Sequence, residues 1–211
     1  LLSRLSLQSL FDYAYFIKAD GIIAYIDSET DSIKVPDFLE TPDIPVVTVG
    51  RFNPQIPQIS FIGNNYSETG RLIARTAVET IKPDFRLFIL NSMEKNNNSS
   101  NRMSTMNSTL KDFFLEPVIF DGDESFNEDM LFDSILVKNY QPAMVICLTE
   151  EDSIRTARMA SDPGFNSENQ IISYGENETI STYFNKGVIE TVISLAPEKT
   201  GSRAMKEIFD Y

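Results

Sequence analysis

Short apolar runs bounded by Gly, Pro or Asp recur along the chain. Ala19-Asp20-Gly21-Ile22-Ile23-Ala24-Tyr25-Ile26 is one, and Ile44-Pro45-Val46-Val47-Thr48-Val49 is the next. Each has the length and punctuation of a strand buried on both faces. Before the first run, Leu7, Leu10, Phe11, Ala14 and Ile17 recur at helical spacing and form one apolar face. Buried strands alternating with helices predict a parallel sheet, and open parallel sheets bind ligands outside the carboxyl ends of their strands. The pattern therefore implies a binding cleft and leaves its occupant open.

The same reading extends over the whole chain. A helix is predicted over 5–18 and a strand over 21–26, followed by an acidic, Ser- and Pro-containing loop with a short helical turn over 27–43. A strand at 45–49 and a Pro-punctuated loop lead to a further strand at 58–63. Ser67-Glu68-Thr69-Gly70 opens a helix with Leu72, Ile73, Thr76, Ala77 and Ile81 on one face, ended by Pro83. After a strand at 86–90, Asn97-Asn98-Ser99-Ser100 reads as a solvated loop. A helix over 101–114 gathers Met103, Met106, Leu110 and Phe113 as plain core. Strand 117–120, helix 127–138, strand 143–148, helix 150–160, strand 170–174, helix 177–186, strand 188–194 and helix 198–210 complete the alternation. The spacing is that of βαβ units with right-handed crossovers.

Composition narrows the function classes. At 211 residues the chain makes one large or two modest domains. Lys+Arg 18 against Asp+Glu 31 gives a net charge of −13, which repels phosphate backbones and argues against direct nucleic-acid binding by this segment. No apolar run approaches the roughly 20 residues of a membrane-spanning helix, and the first residues lack the basic-then-apolar order of a signal peptide. The chain opens on a helix pattern without an initiator Met and reads as a fragment.

His is absent and Cys147 is the sole cysteine, so a His-based triad, a His-ligated zinc and a Cys-X-X-Cys pair are excluded within the chain. Cys147 sits inside Met144-Val145-Ile146-Cys147-Leu148 and reads as a buried structural thiol. There is no Gly-X-Ser-X-Gly elbow and no Gly-Lys phosphate loop, so neither catalysis nor a cofactor is expected. Glu150-Glu151-Asp152 resembles a metal cluster on paper, but consecutive acids at a helix start do not converge on one ion, and no metal is expected.

An ordered set of segments resembles a known family. Asp20-Gly21-Ile22-Ile23, then Ile44 to Arg51, then Phe61-Ile62-Gly63-Asn64-Asn65-Tyr66-Ser67-Glu68-Thr69-Gly70-Arg71 is similar to the type I periplasmic sugar-binding proteins and the effector domains of lac-repressor-type regulators. Val145 to Ile154, Ile171-Ile172-Ser173-Tyr174-Gly175-Glu176 and Ala196-Pro197-Glu198-Lys199-Thr200-Gly201 resemble later segments of that family, in order. The resemblance implies an α/β fold of two lobes, each a parallel sheet flanked by helices. Residues 1–63 and 196–211 would form a first, incomplete lobe and 64–195 the second. It implies that N-terminal strands and the C-terminal end are missing, that Asn64, Asn65 and Pro197 lie at the hinge, and that ligand is trapped between the lobes.

Carried over position by position, the resemblance implies a departed pocket. Gly50 stands where an acid is usual, with Arg51 kept beside it; Arg102 matches an Arg that holds ring oxygens. Thr149 and Glu150 replace an Asn-Asp pair, Gly175 replaces an Asp with Glu176 adjacent, and Leu195 replaces a Gln. Losing several acceptors disfavours ribose, galactose or glucose, since each unpaired buried hydroxyl costs about 1–3 kcal/mol. Arg51 and Arg102 would suit an anionic ligand; the equal alternative is a cleft that has lost small-molecule binding and serves as a protein-interaction module. Plainer readings stand beside these: Arg51 as a surface residue, Arg102 covering a helix start, Thr149 as a helix N-cap and Glu150 as a first-turn acid favoured by the helix dipole.

The implied function is a solute-binding or sensory module that takes a sugar-like or anionic small molecule and serves a membrane transporter or a sensor kinase. It would be extracellular or periplasmic and membrane-anchored as a lipoprotein. The alternative is a cytoplasmic effector domain of a transcription regulator.

Overall fold

The computed structural model describes residues 6–26, 44–92, 97–121, 142–161 and 168–211. The loop expected at 27–43 and the helix expected at 127–138 lie outside the described residues. The chain divides into two compact units, one running to Asn64 and resuming at Ala196, the other spanning Asn65–Leu195.

In the first unit, β1 (Ile22–Ile26), β2 (Val46–Gly50) and β3 (Ser60–Ile62) form a parallel sheet in the order β1-β2-β3. Helix α1 (Leu7–Phe16) starts at Ser6, whose side chain accepts from the Ser9 N–H. Phe11, Ala24, Ile26, Val46 and Ile56 make the core. The expectation that 21–26 is buried on both faces fails. Ala24 and Ile26 are buried, but Ile23 is 40% and Tyr25 71% exposed, because β1 stands at the end of the strand order and only one of its faces is covered. The strand expected over 58–63 is confined to β3.

The second unit holds α2 (Tyr66–Thr80), β4 (Arg86–Asn91), α3 (Asn97–Asp112), β5 (Val118–Asp121), β6 (Ala143–Cys147), α4 (Glu150–Ala160), β7 (Gln170–Tyr174), α5 (Glu178–Asn185) and β8 (Thr191–Ile193). Its strands are parallel in the order β5-β4-β6-β7-β8. Successive residues of one strand enter opposite cores. Leu87, Ile89, Met144 and Ile146 face Ile73, Ala77, Met106 and Leu110. Phe88, Leu90, Val145 and Cys147 face Ala157, Ile180 and Ile189. Both faces are dry, which is why these strands read as continuous apolar runs.

Three local expectations need correction. Residues 97–100 form the first turn of α3 rather than a solvated loop. Phe113 follows the helix end and is 51% exposed, so it leaves the stripe that Met106 and Leu110 keep in the core. Leu72 is 54% exposed, on the outer face of α2. The final helix, α6 (Pro197–Phe209), returns to the first unit and packs on its sheet. Among the described residues no helix is long and apolar enough to cross a membrane.

Candidate functional site

The strand order places the site. After β4 the chain moves to β5 on one side, then returns to β6 on the other. The connections diverge between β4 and β6, and in such sheets the crevice opens outside the carboxyl ends of those two strands. Ser92 follows β4 there and Thr149 follows β6, with their hydroxyl oxygens 3.4 Å apart.

Asp152 organises this point from below. It is only 3% exposed, and its Oδ2 accepts from the Ser92 N–H at 3.1 Å and from the Thr149 hydroxyl at 2.7 Å. A buried carboxylate needs such donors, because an unpaired one is costly. In return the Asp152 N–H donates to Thr149 Oγ1 at 2.9 Å, making Thr149 the N-cap of α4. The exchange differs from a capping box in that Asp152, at the third helical position, accepts from the Thr149 hydroxyl rather than from its backbone N–H. Neither Asp152 nor Ser92 stands out in the sequence as a site residue. The spacing Thr149-x-x-Asp152 was the available signal for the first, and nothing local marks the second.

The three consecutive acids do separate work. Glu151 pairs with Arg155 at 2.6 Å, and Asp152 turns inward. Glu150 reaches across to the loop after β7: its Oε1 accepts from the Glu176 N–H at 3.1 Å and its Oε2 from Asn177 Nδ2 at 3.0 Å. Asn177 in turn caps α5 by accepting from the Ile180 N–H at 2.9 Å. Glu176 is exposed, and its carboxylate accepts from the Ser194 hydroxyl just after β8. Thr149, Glu150 and Glu176 are thus brought together on one sheet edge.

Gly175 makes this approach possible. Its φ is +98°, a region L side chains rarely adopt, and a Cβ there would stand 2.7 Å from Glu150 Oε1 and 2.9 Å from Cδ. A side chain at 175 is strained by the backbone conformation and would displace the Glu150 side chain.

Arg102 lies close by, on α3. It is 1% exposed, and its guanidinium stacks over the Tyr174 ring at 4.4 Å from the centroid. Tyr174 ends β7 immediately before Gly175. Burial pushes the Tyr174 hydroxyl pKa up, and the neighbouring guanidinium partly offsets that. Gly70 lets α3 come this near α2, since a Cβ there would overlap the Arg102 carbonyl oxygen.

Arg51 belongs to the other unit. It follows β2 at the carboxyl edge of the three-stranded sheet, half-buried, with its N–H donating to the Ile26 carbonyl at 2.9 Å. Gly50 before it has φ +97°, and a Cβ would stand 2.5 Å from the Ile26 oxygen. Beside Arg51, Phe52 meets Phe61 edge-on at 5.4 Å. Of the residues read as hinge, Asn64 ends the first unit's leading segment. Asn65 caps α2 by accepting from the Glu68 N–H at 3.1 Å. Pro197 is the first residue of α6, after Ala196 in the left-handed region.

The family model of the periplasmic binding protein domain matches residues 17–211. A comparison with curated protein sequences gives no match. Among solved structures, the chain is similar to XylFII in the XylFII-LytSN complex, at 23% identity and TM-score 0.72 over 96% of this chain and 75% of that one. It is similar to GanP, a glucose-galactose binding protein from Geobacillus stearothermophilus, at 19% identity and TM-score 0.72 over 96% and 74%. A LacI-like transcriptional regulator from Bacteroides fragilis is similar at 16% identity and TM-score 0.75 over 97% and 73%. At these identities the structural likenesses establish the fold, and the family match over most of the chain establishes membership. The chain belongs to the periplasmic binding protein domain family, with the sugar-binding-protein type of fold.

Proposed function

We propose that this chain is the ligand-binding module of a solute-binding or sensory protein and that it takes a small, sugar-like solute at the carboxyl edge of its five-stranded sheet. One observation carries the reading. The paired hydroxyls of Ser92 and Thr149, set on the buried Asp152, stand at the point where the strand connections diverge. The module acts by binding rather than by catalysis.

Of the two ligand classes left open by the sequence, the sugar-like one is favoured. Glu150 and Glu176 put two carboxylates on the edge, which repel an anion, and the exposed Glu176 carboxylate, which already accepts from the Ser194 hydroxyl, can accept from solute hydroxyls in the same way. Arg102, the residue that would have drawn an anion, holds its guanidinium against Tyr174. Gly50 and Gly175 have backbone conformations that disfavour the acids usual at those positions, which supports an anchoring different from that of common hexose and pentose binders.

The likeness to XylFII bound to LytSN and to sugar-binding proteins favours delivery of the solute signal to a membrane transporter or sensor kinase, outside the cytoplasm. The likeness to a LacI-like regulator supports a second reading, an effector domain with its DNA-reading part elsewhere. The N-terminal sequence of the whole protein separates them: a secretion signal with a lipidated Cys supports the first, a basic helical segment the second. Titration calorimetry with neutral sugars, polyols and sugar acids tests the ligand reading. Binding of a neutral, hydroxyl-rich solute is expected, and selective binding of sugar acids would refute it.

A further inference from the structure

We propose that Glu150 is a positioning residue of this site, a latch that holds the Gly175–Asn177 turn against α4 and so presents the Glu176 carboxylate on the sheet edge. The proposal rests on the reading of that edge as the ligand site. Glu150 itself reads from sequence as a ligand contact or a dipole-favoured first-turn acid. The geometry points elsewhere: each of its oxygens already accepts a bond from the neighbouring loop, at 3.1 Å from the Glu176 N–H and 3.0 Å from Asn177 Nδ2. Each oxygen thus has one of its two lone-pair directions committed to the turn.

The latch reaches further than one loop. Asn177 cannot turn its amide to suit another partner, because its Oδ1 caps α5 through the Ile180 N–H. Its Nδ2 is therefore fixed in direction, and Glu150 meets it. Glu176, held by its backbone N–H, places its side chain where the Ser194 hydroxyl donates to it. Ser194 lies after β8, one residue before the last of the second unit, Leu195. The start of α4 and the carboxyl ends of β7 and β8 are thereby joined by Glu150, Asn177, Glu176 and Ser194. A side chain at Gly175 would obstruct the latch, and the residue has none; its φ of +98° sets the turn that carries the Glu176 N–H toward Glu150.

The test uses Glu150→Ala and Glu150→Gln in the ligand-free protein, read by residue-resolved amide hydrogen exchange and by the side-chain amide signal of Asn177. A carboxylate acceptor is a strong one, so losing it should speed exchange at the Glu176 amide at least about tenfold in Glu150→Ala. Glu150→Gln keeps one carbonyl oxygen for the Glu176 N–H and should restore most of that protection, while the Asn177 side-chain signal still shifts. Amides of Ile171–Ser173, inside β7, should exchange as before in both variants. If Glu150→Ala speeds exchange only in the first turn of α4 and leaves Glu176 unchanged, Glu150 acts through the helix dipole alone and the latch is wrong. The same result from Gln and Ala would also overturn it. Because no ligand is present, these outcomes are independent of whether the solute panel shows binding. An absence of binding there counts against the ligand reading and not against the latch.

Discussion

Replacing Gly70 with Ala should destabilise the second unit, although the same change elsewhere in the molecule should stabilise. Gly70 lies in α2 and is buried. In a helix interior Ala is preferred to Gly by about 0.8–1.0 kcal/mol, so propensity alone predicts a gain. The packing predicts the opposite. A Cβ on Gly70 would overlap the Arg102 carbonyl oxygen and stand 3.1 Å from its carbon and 3.2 Å from the Met106 nitrogen. All of these are backbone atoms of α3, which cannot rotate out of the way as a side chain would. The helices must separate, loosening Met106, Leu110, Ile73 and Ala77, which are all essentially fully buried. Overpacking of this kind costs typically 1–3 kcal/mol, so after the propensity gain the net loss should lie between about 0 and 2 kcal/mol, toward the upper end because the atoms met are backbone. Gly201 in α6 is the internal control. Nothing lies within 4 Å of a Cβ built there, so Gly201→Ala should stabilise by up to about 1 kcal/mol. Urea unfolding followed by circular dichroism measures both. A Gly70→Ala variant more stable than the parent would refute the close approach of α2 and α3 at Arg102.

Thr149→Val removes the α4 cap and one donor to the buried Asp152, and should cost about 1–2 kcal/mol in a denaturant titration, with Thr149→Ser nearly neutral. Gly175→Ala should cost about 1–3 kcal/mol, because a residue with a Cβ is strained at φ +98° whatever room Glu150 makes. Cys147 is fully buried and its pKa is pushed up to about 12, so thiol reagents at pH 8 should label it only after unfolding. The same shift has a stability consequence: the folded thiol keeps its proton up to about pH 12, whereas the unfolded one releases it from its ordinary value near 9.0, so stability should fall as pH rises between those values.

Much of the second unit is legible in the sequence. Helix 150–160 and strand 170–174 come out with the bounds that the structure has, because a capping Thr, three acids and runs such as Ile171-Ile172 are local signals. Strand β1 was misread because burial on its outer face depends on strand order, which the run 21–26 does not carry. The Asn- and Ser-rich start of α3 resembles a loop because those residues favour turns and caps, yet the helix extends through them from the packed turns of Met106 and Leu110. Within the candidate site, the sequence singles out Thr149, Glu150 and Glu176 as residue types. Their arrangement is not legible there, since Ser92 and Asp152 are brought together only by the pairing of β4 with β6. Gly50 and Gly175 read as lost acids, whereas their positive φ values make glycine the residue the backbone itself requires there.

The proposed function places a small hydroxyl-rich solute at the carboxyl edge of the five-stranded sheet. The most direct measurement is titration calorimetry of the solute panel against the parent protein and against Ser92→Leu, which places a bulky apolar side chain beside Thr149 while the Ser92 backbone N–H keeps its bond to Asp152. One neutral solute should bind with one-to-one stoichiometry, more tightly than ribose, galactose or glucose, and Ser92→Leu should weaken it at least about tenfold, the loss expected when a polar contact in a closed site is replaced by an apolar group. A solute that binds the variant as tightly as the parent would place the site elsewhere, and a panel dominated by sugar acids would contradict the account.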